Sequence, residues 1–141
     1  LKDTAKLAHT SANTLILGSA DGYSTGNLTV SGGSTDVDLG TIDWHNGTFT
    51  VELDSPTAFN SVNITGNLTI DAGVVLNIDL LPGVAPAGGQ TFDLMTCSGT
   101  LTGEFTLAAE DADMWTISYP TTPKRVVATR NSPAGTVVSI R

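Results

Sequence analysis

Three segments of one pattern recur along this chain: GNLTV from Gly26, NGTFTV from Asn46 and GNLTI from Gly66, a 20-residue spacing. A unit this short cannot bury its own apolar face and must stack on its neighbours, as a solenoid rung does. Around the repeats, apolar residues alternate with polar ones. Leu15 and Leu17, Leu28 and Val30, Val37 and Leu39, Phe49, Val51 and Leu53 do so, as do Val62 and Ile64, Leu68 and Ile70, and Leu76, Ile78 and Leu80. Period 2 puts one set inside and the Thr, Asn and Asp set outside. Stacking at the 20-residue spacing predicts one interior column of Leu28, Phe49 and Leu68. Thr29, Thr48 or Thr50, and Thr69 then line the exterior. No comparable stretch carries the i, i+3, i+4, i+7 spacing of a helix.

The expected fold is all-β, with short β-solenoid-like rungs over 26–80 followed by antiparallel strands or a cap. A β-sandwich or jelly roll is the alternative, because short strands every 8–12 residues suit it too. Phe49, Leu68, Ile70, Phe92 and Trp115 are the predicted interior. After Leu81, PGVAPAGG reads as a loop. TFDLMT, GTLTGEFTL, MWTISY, RVVAT and TVVSI read as later strands, with NSPAG as the turn before the last. The domain reading is an N-terminal arm over 1–13, a single β domain over 14–131, and a C-terminal strand over 132–141 open to exchange with a neighbour.

Composition narrows the function. A chain of 141 residues, 40% hydrophobic, suits one core. A net charge of −8 argues against nucleic acid as a partner, since phosphate binding needs a basic face. No apolar run approaches the ~20 residues of a membrane-spanning helix, so membrane insertion is not expected. Charged residues are 14%, against a usual ~25%, so the surface must be rich in Thr, Ser and Asn. No leader pattern stands at Leu1; an exported protein would have lost it or carried it outside this chain. The lone Cys97 reads as a small buried hydrophobe, with an intermolecular disulfide as the sharper alternative.

Charge is segregated. The six basic residues are Lys2, Lys6, Lys124, Arg125, Arg130 and Arg141, and all of the 14 acids except Asp3 lie between Leu7 and Pro123. Acidic bodies repel side by side, whereas a basic end on an acidic neighbour attracts and is directional. These ends, with Val137, Val138 and Ile140 of the last strand, are the candidate assembly residues. A heterologous contact of this kind repeats without closing and makes filaments, and an added edge strand supplies adhesion.

Residues 66–119 carry GNLTIDAGVVLNIDLLPGVAPAGGQTFDLMT, then GTLTGEF, then WTISY. This run resembles a terminal module of exported bacterial β-helical proteins of the autotransporter-passenger-like and PEP-CTERM type. Gly66, Leu68, Ile70, Gly73, Leu76 and Ile78 match the last rung of such proteins. Gly83, Pro86, Gly88, Phe92 and Leu94 match the loop and strand after it. Gly99, Leu101, Gly103 and Phe105 match the next hairpin, and Trp115 and Tyr119 the following strand. The resemblance implies export and a scaffold role, with no catalytic residues to carry over. The chain departs from the module after Tyr119, where a second strand and most of the basic charge follow.

Chemical constellations are few. His9 and His45 are the only histidines; neither has the company that a triad or a zinc site needs, and no enzyme is expected. Asp36 and Asp38 share one strand face, and Glu110, Asp111 and Asp113 cluster in a loop. Both groups are candidate calcium ligands, although neither has the Asp-x-Asp-x-Asp-Gly order. Calcium is the one ion these carboxylates invite, and no other cofactor is expected. Asn27, Asn46, Asn63 and Asn67 sit in Asn-x-Ser/Thr contexts. The expected function is an extracellular or cell-surface structural protein. Its copies join head to tail through basic terminal segments and strand addition, as a fibre, sheath or layer. A polysaccharide- or calcium-binding module of a larger exported protein is the alternative.

Overall fold

The computed structural model describes residues 6–9, 14–32 and 36–132, and for Lys6–His9 and Asp36 the backbone alone. Apart from a single turn of 3-10 helix at Ala109–Asp111, the regular structure among these residues is strand, as the alternation predicts. The chain runs in circuits. The first holds β1 (Lys6–His9), β2 (Leu15–Leu17) and β3 (Leu28–Ser31). The second holds β4 (Asp36–Leu39), β5 (Ile42–Trp44) and β6 (Gly47–Leu53). The third holds β7 (Val62–Ile64), β8 (Leu68–Ile70) and β9 (Val74–Leu80). The fourth holds β10 (Thr91–Cys97), β11 (Leu101–Thr102) and β12 (Thr106–Leu107), after which come β13 (Trp115–Ser118) and β14 (Arg125–Arg130).

Each circuit gives one strand to each of three sheets. The first sheet has the order β1-β4-β7-β10-β14-β13, the second β11-β8-β5-β2 and the third β12-β9-β6-β3. Every pairing between circuits is parallel. Only β14 and β13 run antiparallel, added to the outer edge of the first sheet. Two expectations are corrected here. Parallel pairing is not confined to 26–80 but extends from β1 to β12. TFDLMT is therefore not the start of an antiparallel half, because the 82–89 loop carries the chain round to the first sheet, where β10 lies parallel to β7. Within the expected N-terminal arm, Lys6–His9 is an extended strand of that sheet, pairing with Asp36–Leu39.

The interior columns also differ from the simple repeat. Leu28 does face Phe49, but Phe49 faces Leu76, not Leu68. Leu68 belongs to the second sheet, between Ile42 and Leu101. The cause is that the Gly-Asn motif marks a corner followed by a strand, whichever sheet that strand joins. Asn27 Oδ1 accepts the Thr48 N–H at 2.9 Å, and Asn67 Oδ1 accepts the Thr100 N–H at 2.8 Å. In both cases the asparagine satisfies a backbone donor of the next circuit. The glycines allow the corners to stack closely. A Cβ on Gly47, whose φ is +128°, would be driven into the Gly26 carbonyl, and one on Gly99 into that of Gly66.

All five predicted interior residues are buried: Phe49, Leu68, Ile70, Phe92 and Trp115. Trp44, Phe49 and Phe105 form an aromatic cluster with centroids 5.7–5.8 Å apart. Fully burying one such side chain contributes roughly 1.5–3 kcal/mol. Cys97 is a free, buried thiol, its Sγ 3.4 Å from the Gly66 carbonyl oxygen. Thr29, Thr48, Thr50 and Thr69 lie on the outward positions, as expected.

Candidate functional site

The candidate calcium ligands fall in two places. Asp36 and Asp38 both lie on β4. The side chain of Asp38 is engaged: its Oδ1 accepts a hydrogen bond from Asn63 Nδ2 at 3.1 Å, and Thr96 Oγ1 in turn donates to Asn63 Oδ1 at 3.2 Å. These three are register partners, so a hydrogen-bonded polar column crosses the outer face of the first sheet. In the second group Glu110 and Asp113 are exposed, but Asp111 turns inward and is 2% exposed. Its Oδ2 accepts the Ile78 N–H at 2.8 Å. β12 stops at Leu107 while its neighbour β9 runs on to Leu80, so the carboxylate takes the place of missing strand backbone. Burial holds Asp111 above the usual carboxylate range, the Ile78 N–H opposes this, and the charges of Glu110 and Asp79 add to it. Among the described residues no three His, Cys, Asp or Glu side chains converge as a metal-ligand group.

His45 and Asp71 make the one His–acid contact among the described residues, Nδ1 to Oδ2 at 2.7 Å. Each sits at a corner, His45 after β5 and Asp71 after β8, and the backbone follows the same path: Asp71 N–H donates to the Trp44 carbonyl at 2.9 Å. The pair links two successive circuits.

The basic residues expected to form joints are engaged within their own chain. Lys124 Nζ donates to the Gly99 carbonyl at 2.6 Å. Arg125 pairs with Asp93, and the Arg130 guanidinium lies 5.3 Å from the Trp115 ring centroid. All three thus have partners within their own chain. Lys2, Val137, Val138, Ile140 and Arg141 lie outside the described residues, as does the side chain of Lys6, and with them the exchanged strand expected over 133–141.

The two ends of the stack are built differently. At the last circuit β14 and β13 extend the edge of the first sheet, while β11 and β12 are the outermost strands of the other two, and the Phe105 N–H donates to the Tyr119 hydroxyl at 2.9 Å, tying that hydroxyl to the corner before β12. Burial raises the pKa of the Tyr119 hydroxyl; the Phe105 bond acts the other way, and the charge of Glu104 adds to the rise. At the first circuit the interior-facing Leu15, Leu17 and Leu28 are only half-buried. Ile16, on the outer face of β2, is 60% exposed, and Tyr23 in the following loop is 93% exposed. Among the described residues β2 is the outermost strand of its sheet. Leu15 N–H bonds Thr41 and the Leu17 carbonyl accepts from His45, so both are spent on the second circuit. In a parallel ladder the intervening residue, Ile16, then turns its N–H and carbonyl away.

A third feature was not legible in the sequence. The register of β10 against β14 shifts between Asp93 and Met95, a bulge that leaves both Asp93 and Thr96 on the outer face. Arg125, the partner of Thr96, reaches across so that its Nη1 donates to both Asp93 oxygens, at 3.2 and 3.3 Å. The pair lies in an open, polar cleft of about 380 Å³ beside the 54–61 loop, whose half-buried Phe59 forms part of the wall. No protein-family model, curated protein or solved structure matches this chain.

Proposed function

We propose that this chain is a structural, non-enzymatic module of an extracellular assembly, extended by strand addition at its first circuit. The observation that carries this reading is the unequal construction of the ends. At the last circuit an antiparallel pair continues the first sheet past β10, while the first circuit presents an outermost β2 with an exposed Ile16 and half-covered interior leucines. An edge of that kind is a template for another strand, and a second copy of the chain is the simplest donor. Such contact is heterologous and does not close on itself. A surface rich in Thr, Ser and Asn supports an exported setting, as does the resemblance of residues 66–119 to exported scaffolds. The His45–Asp71 pair supports the non-enzymatic part, because both members serve to link successive circuits.

Light scattering across a concentration series tests this with the full chain and with Ile16→Pro. Proline at 16 removes only the N–H that faces away from the second circuit, a setting in which a strand tolerates it. The native chain should form larger species as concentration rises, whereas the folded variant should stay monomeric. A native chain that remains monomeric throughout overturns the reading, as does a variant that assembles like the native chain.

A further inference from the structure

We propose that the cleft around Arg125 and Asp93 is a binding site for a neutral polyhydroxylated ligand, a glycan chain. The ion pair there is loosely made and under-used. Charge-assisted N–H···O contacts run about 2.7–2.9 Å, whereas both contacts here are 3.2–3.3 Å and share one nitrogen, Nη1. Nη2 makes no hydrogen bond to a described residue, and the carboxylate has accepting capacity beyond one nitrogen. Donors and acceptors therefore stand side by side, a third to two fifths exposed. Vicinal hydroxyls, each of which both donates and accepts, match that arrangement.

The surroundings point the same way. Thr57, Ser61 and Thr91 add hydroxyl groups to the lining, and Phe59 supplies an apolar surface for the C–H face of a sugar ring. The volume, about 380 Å³, lies within the roughly 300–1,000 Å³ range of small-molecule sites. Arg125 and Asp93 cancel each other's charge, so the cleft has no preference for an anion. Beyond it the polar column continues through Thr96, the register partner of Arg125, to Asn63 and Asp38. A ligand extended over several sugar units would find hydroxyl, amide and carboxylate groups in succession. The cleft opens on the face of a sheet, which favours a glycan over an added peptide strand. The bulge in β10 gives the geometry its origin, since without it Asp93 and Thr96 would not share a face with Arg125. This inference is independent of end-to-end assembly.

Calorimetric titration of the full chain with neutral hexasaccharides tests it, using gluco-, xylo- and manno-hexaoses as probes. A uronate hexasaccharide and a neutral hexapeptide serve as comparisons. At least one neutral hexasaccharide should bind more tightly than about 1 mM. Phe59→Ala should weaken that binding by about tenfold, the effect of losing one anchor. Asp93→Asn, at a half-buried position, should weaken it too and shift preference toward the uronate chain, because Arg125 is left uncompensated. Thermal melts establish that both variants are folded; Asp93→Asn decides the matter if Phe59→Ala is not. Binding of no neutral hexasaccharide overturns the proposal, as does binding only of the uronate or the peptide. Binding that persists unchanged in folded Asp93→Asn also overturns it.

Discussion

Asp111 carries its carboxylate into a buried site and keeps it there through one backbone N–H, that of Ile78. Burial is the dominant influence on its proton affinity and raises it above the value of the unfolded chain. The native state consequently holds this proton at pH values where the unfolded chain has released it. Stability then falls as pH rises, beginning near the unfolded carboxylate pKa and continuing through the higher folded one. Asp111→Asn keeps an oxygen for the Ile78 N–H and removes the titration. Melting temperatures from roughly pH 3 to pH 7 should therefore decline less steeply with pH in the variant than in the native chain. Identical pH profiles would show that Asp111 does not titrate in this window.

At the scale of elements, the corners decide the architecture more than the strands do. Asn27 and Asn67 each satisfy a backbone donor of the next circuit, so Asn27→Ala and Asn67→Ala should each cost about 1 kcal/mol in urea unfolding. A loss near zero at both positions would mean that water replaces the amide without penalty. Period-2 alternation made the strands, their inward residues and the all-β class legible, since it depends only on neighbours in the chain. Which sheet a strand joins was not legible, because GNLTV and GNLTI read alike while their strands enter the third and second sheets. The true stacking partner of Phe49, Leu76, follows from unequal loop lengths that no local pattern encodes. The Asp93–Arg125 pair was hidden for a related reason. Its members are far apart in the chain and meet only through an antiparallel register and a bulge. The basic cluster at 124–130 was visible as composition, but its engagement with Gly99, Asp93 and Trp115 needed the fold.

For the molecule as a whole, the distribution of charge sets the terms. Between Leu7 and Pro123 there is no basic side chain, while all of the 14 acids but Asp3 fall there. Of those acids, Asp93 is paired with an arginine and Asp71 with a histidine. The compact state thus gathers like charges that the unfolded chain keeps further apart, and repulsion of this kind opposes folding. Screening acts over about 10 Å at 0.1 M salt and about 3 Å at 1 M. Sodium chloride raised through this range should raise the melting temperature. Calcium chloride at matched ionic strength separates general screening from a specific site. Asp38 is bonded to Asn63 and Asp111 to the Ile78 backbone, so two of the candidate ligands are already spent on the protein itself. Calcium should accordingly stabilise the fold no more than sodium does at the same ionic strength. A larger effect of calcium, reversed by a chelator, would place a cation at the Asp36–Asp38 strand or the 110–113 loop. Asp38→Asn and Glu110→Gln would then tell which of the two holds it, by abolishing the excess.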